Sequence, residues 1–148
     1  ESATFSNYNF LKIEKDRMKI FYKNFYEGDE WQNTKSIFLK FKKILNDNNI
    51  KFFVILLPTQ LQTDYKLREE IFSNFPDFDK QTAEFHLPQK ILSDYLKKNN
   101  IEYIDLLPFF IEESKNKELY LLRDTHFSLY GNQLCAKHIS EFIKQKTK

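Results

Sequence analysis

The stretch Lys51-Phe-Phe-Val-Ile-Leu-Leu57, closed by Pro58-Thr59, decides the fold class. Its apolar residues run continuously instead of alternating. A strand with one wet face alternates with period two, whereas a strand covered on both faces reads as an unbroken apolar run. Such strands belong to parallel sheets with helices on either side. A second strand of the same type is Glu102-Tyr-Ile-Asp105, entered from Asn99-Asn100-Ile101. Parallel neighbours need a long crossover, usually helical. The intervening chain supplies a helix at about 88–98, with Ile91, Leu92, Tyr95 and Leu96 as its stripe and Pro88 in its first turn. The remainder of the crossover reads as a polar loop.

Outward from the strands the chain is helical. Ile37, Phe38, Phe41, Ile44 and Leu45 follow the spacing of one buried stripe, which predicts a helix over 34–46. Lys35, Lys40, Lys42 and Lys43 fall mostly on its other side, and Asn46-Asp47-Asn48-Asn49 ends it. Upstream, Phe10, Ile13, Met18, Ile20, Phe21 and Phe25 suit a helix from Phe10 to Tyr26, punctuated by Gly28-Asp29. Residues 1–9 read as a flexible, polar lead-in. Downstream, a short helix is expected over 107–114. A last helix is expected over 129–144, with Leu134, Cys135, His138, Ile139, Phe142 and Ile143 on or near its inner side. Helix, strand, crossover, helix, strand, helix is the order of an α/β domain. Two strands buried on both faces do not make a complete sheet, however. The expectation is therefore the second half of an open α/β sheet whose first strands lie elsewhere, in a missing N-terminal half of the same domain.

The bulk numbers limit the function. Of the 148 residues, 16 are Phe and 8 Tyr, too aromatic for a disordered chain. Lys and Arg number 23 against 21 Asp and Glu, and a net charge of +2 gives no reason to expect nucleic acid. The longest apolar run, Phe52 to Pro58, falls far short of the ~20 residues of a membrane span. The single cysteine, Cys135, excludes an intrachain disulfide and reads as a small buried thiol. With three histidines (His86, His126 and His138) and no zinc-type spacing, no metal is expected. Only Gly28 and Gly131 are present, and no glycine-rich phosphate loop follows a strand, so no nucleotide cofactor is expected.

The strongest local signal is Leu121-Leu-Arg-Asp124-Thr-His126-Phe-Ser-Leu-Tyr-Gly131-Asn, on a loop after the apolar stretch Leu119 to Leu122 and before the last helix. In open α/β folds, loops at the carboxyl ends of strands build the site. A carboxylate two residues before an imidazole can fix the imidazole's tautomer and stabilise the imidazolium formed when it accepts a proton. By spacing alone the motif is weak, because a loop Asp bonding turn amides beside a packed His gives the same pattern. His138 reads as a structural histidine within the last helix and His86 as a loop histidine. Ser128 reads as an N-cap of the last helix.

The block Asp124-Thr-His126-Phe-Ser-Leu-Tyr-Gly131-Asn resembles the terminal catalytic block of the SGNH (GDSL-type) hydrolase and acyltransferase superfamily. Ile101-Glu-Tyr-Ile-Asp105-Leu-Leu-Pro108 is similar to that family's strand followed by Leu/Pro and a helix, and Phe53-Val-Ile-Leu-Leu-Pro58-Thr to its preceding strand. The three segments are collinear over about 35–145. The resemblance implies a three-layer, flavodoxin-like SGNH fold with a parallel sheet, here incomplete, with residues 1–148 as the C-terminal part of one domain. It implies a serine esterase or O-acyltransferase acting on ester-linked acyl groups. Asp124 and His126 would be its catalytic pair, and an ester-bearing small molecule or polysaccharide its substrate. It also suggests the bacterial cell envelope or periplasm. One residue separates Asp from His where many simple esterases have two, which favours the envelope acyltransferases. No Gly-Asp-Ser and no Gly-x-Asn-Asp block occurs, so the nucleophile falls on no residue here, and Ser2, Ser6, Ser36 and Ser128 are not assigned that role. Two other readings stand beside this one: a non-catalytic SGNH-like binding or scaffold module, and an unrelated flavodoxin-like domain.

Overall fold

A computed structural model describes residues 2–147. Helix α1 (Asn7–Arg17) starts within the stretch read as a lead-in, where the Ser6 hydroxyl accepts from Asn9 N–H at 3.3 Å. The single helix expected from Phe10 to Tyr26 does not form. The chain leaves α1 at Arg17 and makes two 3-10 turns, Met18–Phe21 and Lys23–Glu27, separated by an extended Tyr22. Phe21 C=O accepts from Glu84 N–H at 2.8 Å, a tertiary bond made where a continuous helix would have bonded Phe25.

Helix α2 (Asp29–Asp47) begins five residues earlier than the apolar stripe suggests, with Asp29 and Glu30 in the first turn against the positive end of the helix dipole. It ends in a motif that recurs one crossover later. Asn49 and Asn100 both sit at positive φ (58° and 50°), and the following Ile50 and Ile101 N–H groups reach back to Leu45 and Leu96 C=O at 2.8 and 2.9 Å. These are Schellman endings, with Asn in the left-handed position it tolerates better than most residues. Each one turns the chain toward the following strand.

Strands β1 (Phe53–Leu56) and β2 (Glu102–Asp105) pair in parallel, with Phe53 opposite Glu102 and Leu56 opposite Asp105. The parallel pairing read from the two apolar runs is what the structure has. Val54 and Leu56 face a core of Leu96 and Ile101, bordered by Phe38 of α2. The Phe53 ring meets Phe142 edge-on at 5.6 Å. The crossover holds more than a loop and one helix: α3 (Gln60–Thr63) and α4 (Tyr65–Asn74) precede α5 (Leu87–Lys98). After β2 come α6 (Leu107–Glu113) and α7 (Leu129–Lys146).

Two further apolar clusters flank the strands. One joins Phe10, Leu11, Met18 and Phe21 to Leu61, Leu67 and Ile71, locking α1 onto α3 and α4. The other joins Leu106 and Phe110 to Leu119, Leu134 and Cys135 beneath the loop that carries Asp124. Full burial of one such side chain stabilises by roughly 1.5–3 kcal/mol. The stripe of α2 is only partly used. Phe38 and Leu45 are half-buried, but Ile37, Phe41 and Ile44 are 53, 55 and 60% exposed, contrary to the expected buried face. Trp31 is the buried residue of this helix.

Candidate active site

Between α6 and α7 the chain folds back on itself over 119–128. Ser128 N–H donates to Leu119 C=O at 2.9 Å, Leu121 N–H donates to His126 C=O at 3.0 Å, and Tyr120 and Phe127 form an antiparallel bridge. Arg123, at φ 47°, makes the turn. Such a conformation is uncommon outside glycine and mildly strained. The base of this loop is held from two sides. Tyr120 Oη donates to Pro58 C=O at 2.9 Å, tying the loop to the exit of β1. Ser128 caps α7, its Oγ accepting from Gly131 N–H at 3.1 Å and donating to Glu118 C=O at 2.8 Å. Gly131 is required by close approach, since a Cβ there would stand 2.3 Å from Leu119 O.

The two sequence-predicted site residues come together on this loop. Asp124 Oδ1 accepts both the backbone N–H of His126 at 3.0 Å and its ring Nδ1 at 2.6 Å. The two side chains have opposite exposure: 7% for Asp124 and 80% for His126. The polar side chain of Thr4 and the hydrogen bonds from His126 pull the Asp124 carboxyl down to about 2, so it is ionised at neutral pH. An ionised acceptor at Nδ1 fixes that ring nitrogen as the N–H, leaving Nε2 with a free lone pair directed at solvent. The arrangement is a tethered imidazole, oriented at one nitrogen and open at the other, which is what a general base needs.

The remaining candidates lie elsewhere and do other things. The His138 ring stacks on Phe109 with centroids 3.7 Å apart. His86 stands exposed at the start of α5. Cys135 is buried in the cluster under the loop, and burial pushes its thiol up. Ser6 and Ser128 are helix caps, and Ser36 lies within α2. Three contributors to the loop escaped the sequence reading: Thr4, Arg123 and the Tyr120 hydroxyl. A fourth polar group, Glu14, is fully buried against Arg17 at 2.6 Å. A signal for it existed, because Glu14 is four residues from both Phe10 and Met18 and so lies on their face. Thr4 had none. Among the described residues, no helix is long and apolar enough to cross a membrane.

A family model described as an SGNH hydrolase-like domain, acetyltransferase AlgX, matches residues 19–148. No curated protein and no solved structure matches the chain.

Proposed function

The chain belongs to the SGNH hydrolase-like domain family of the acetyltransferase AlgX, and from that membership we propose that Asp124 and His126 supply the base of a serine acyl-transfer site. The observation that carries the proposal is the exposed imidazole held at Nδ1 by a buried, ionised carboxylate 2.6 Å away. The serine comes from outside these 148 residues. His126 Nε2 accepts the proton of that serine as its oxygen attacks the acyl carbonyl, and the imidazolium returns the proton to the departing alcohol. The resulting acyl-serine is then attacked by an acceptor hydroxyl or water, deprotonated by the same Nε2, which passes that proton to the serine oxygen as the acyl–serine bond breaks. Asp124 stays ionised throughout and stabilises the imidazolium. Backbone amides or side chains beyond this chain hold the oxyanion. The substrate class is an ester-bearing small molecule or polysaccharide.

Residues 1–148 form part of one domain in this proposal, with a three-layer arrangement completed by further strands. Three features support that extension: a sheet of only two strands, the exposed Ile55 and Leu57 along and just after β1, and the uncovered Ile37, Phe41 and Ile44 of α2.

The test uses the intact protein. His126→Ala is expected to lower acyl transfer by about 10³-fold or more, and Asp124→Asn by a similar or smaller factor. Melting temperatures on the same samples are expected to hold within a few degrees, since the His126 ring packs against little. Equal labelling by a serine-directed phosphonate with and without His126 overturns the proposal and favours a binding module.

A further inference from the structure

The corner that follows β1 holds a cation with no counter-charge. Arg68, on α4, lies over two rings, its guanidinium carbon 4.6 Å from the Phe85 centroid and 5.7 Å from that of Tyr65. Among the described residues its side chain forms no hydrogen bond and no ion pair, and its Nε is buried without a partner. The carboxylates nearest in sequence are engaged elsewhere. Asp64 accepts from Leu67 N–H at 3.0 Å and from the Gln60 amide at 3.1 Å. Glu69 pairs with Lys80 at 2.7 Å, and Glu70 accepts from the Asn7 amide at 2.7 Å. A guanidinium keeps its proton in such surroundings, and a partly desolvated charge without a partner is costly. The place of this cation adds to the argument. Helices α3 and α4 leave the carboxyl end of β1, the edge at which open α/β sheets bind ligands. Pro58 C=O at that exit also receives the Tyr120 hydroxyl of the loop bearing His126. Arg68 and the imidazole thus belong to segments anchored at the same end of the sheet. Arg68 is half-buried and Tyr65 is 62% exposed, so the corner is open to solvent.

We propose that Arg68, with the Tyr65 ring beside it, forms a subsite for an oxyanion carried by the substrate, a carboxylate or a phosphate. The guanidinium offers N–H donors in a planar fork that matches two oxygens of such a group. The exposed tyrosine offers flat apolar surface to the skeleton that bears the charge. The proposal rests on the reading of Asp124 and His126 as the base of acyl transfer and deepens it: the substrate is anionic, and its charge is read at a point apart from the ester.

The experiment uses the intact protein and three probes: glucuronate, glucose 6-phosphate, and glucose as the uncharged control. Calorimetry gives Kd for wild type, Arg68→Gln and Arg68→Lys. Wild type is expected to bind at least one of the anions, and to bind glucose about tenfold more weakly or less. The better anion tells a carboxylate from a phosphate. Arg68→Gln is expected to weaken binding of that anion about tenfold or more, as for loss of a charged hydrogen-bonded contact. Arg68→Lys keeps the charge without the fork and is expected to recover only part of the affinity. Melting temperatures of both variants are expected within a few degrees of wild type, since a cation–π contact at a half-exposed site is worth little. If Arg68→Gln does not fold, Arg68→Lys decides, and wild-type affinity in it overturns the proposal. Failure of wild type to bind either anion, or equal affinity in wild type and Arg68→Gln, overturns it as well and leaves Arg68 a packing residue. A fully active His126→Ala alongside Arg68-dependent anion binding sinks the acyl-transfer reading alone. An inactive His126→Ala with no Arg68-dependent binding sinks the oxyanion subsite alone, so the two failures are told apart.

Discussion

Replacing Gly131 by alanine tests whether the loop bearing Asp124 and His126 is set by the start of α7. The added Cβ would lie 2.3 Å from Leu119 O, 3.1 Å from Phe127 Cβ and 3.2 Å from Leu119 C. Ordinary van der Waals contact lies near 3.5 Å, so helix and loop must separate by roughly 1 Å. The obstacle is backbone, and Leu119 C=O is also the acceptor of Ser128 N–H, so it cannot turn aside without losing that bond. Alanine recovers up to about 1 kcal/mol of helix propensity, less in a first turn. Overpacking of this kind costs about 1–3 kcal/mol, with a hydrogen bond of about 1 kcal/mol at risk as well. A net loss of ~2 kcal/mol corresponds to a fall of about 4–8 °C in Tm for a chain of this size. Gly28→Ala is the matched control, because its Cβ meets only Phe25 O, at 3.5 Å. Thermal melts of both variants, with acyl-transfer assays on the intact protein, separate the outcomes. Gly131→Ala is expected to melt lower and to lose activity at least tenfold at temperatures where it is folded, while Gly28→Ala stays within about 2 °C of wild type. Equal melting of the two variants would refute the close contact, and full activity in a destabilised Gly131→Ala would refute the coupling between α7 and the site.

Two further outcomes are expected. Burial raises the Glu14 carboxyl above its ordinary value of 4.5 despite the opposing effect of Arg17. Its protonated form is thus favoured by folding, and its contribution to stability is present below the unfolded pKa and lost as pH rises through the folded one. Melting scans from pH 4 to 8 should show Glu14→Gln lacking that decline and at least as stable as wild type at pH 7; parallel curves would count against the burial argument. Ser128→Ala removes the cap on α7 and the bond to Glu118 C=O, and is expected to cost about 1–2 kcal/mol, seen as a lower midpoint in urea at unchanged slope.

Much of the fold was legible where local chemistry and tertiary packing agree. The continuous run through Val54, Ile55 and Leu56 reads as a parallel strand because nothing in it asks for a wet face. The two Asn-Asn-Ile sequences mark helix ends because Asn accepts the left-handed turn that precedes each strand. The crossover was read too simply. Thr59-x-x-Gln62, with the Gln62 side chain accepting from Thr59 N–H at 3.0 Å, and Asp64 accepting from Leu67 N–H at 3.0 Å, are helix starts written in plain sequence. They were missed because the apolar positions they introduce, Leu61, Leu67 and Ile71, are sparse among polar residues. The long helix expected through Phe21 differs in the opposite way: its periodicity is genuine, but the α-helix ends at Arg17 and two 3-10 turns follow, with Phe21 C=O bonded to distant Glu84 N–H. At the site, Asp124 and His126 stand two positions apart in sequence and are therefore readable. Thr4 is 120 residues away from Asp124, and no local pattern connects them.

The stripe of α2 shows a different limit. Its spacing is that of a buried face, and part of it is used, with Phe38 reaching Tyr95 at 6.4 Å between ring centroids. Ile37, Phe41 and Ile44 project past that contact into the open. A pattern states which face of a helix seeks cover; it does not state that the cover lies in the same stretch of chain. Covering a large aliphatic or aromatic side chain stabilises by about 1.5–3 kcal/mol, and these three are roughly half covered, so ~2–4 kcal/mol is left unclaimed. Against a typical net stability of about 5–15 kcal/mol, that sum is large. Ile55 and Leu57, along and just after β1, are left open as well. Exposed apolar residues on a helix and on the strand beside it are a debt that the proposed further strands of the same domain would settle, extending the sheet and covering the helix together.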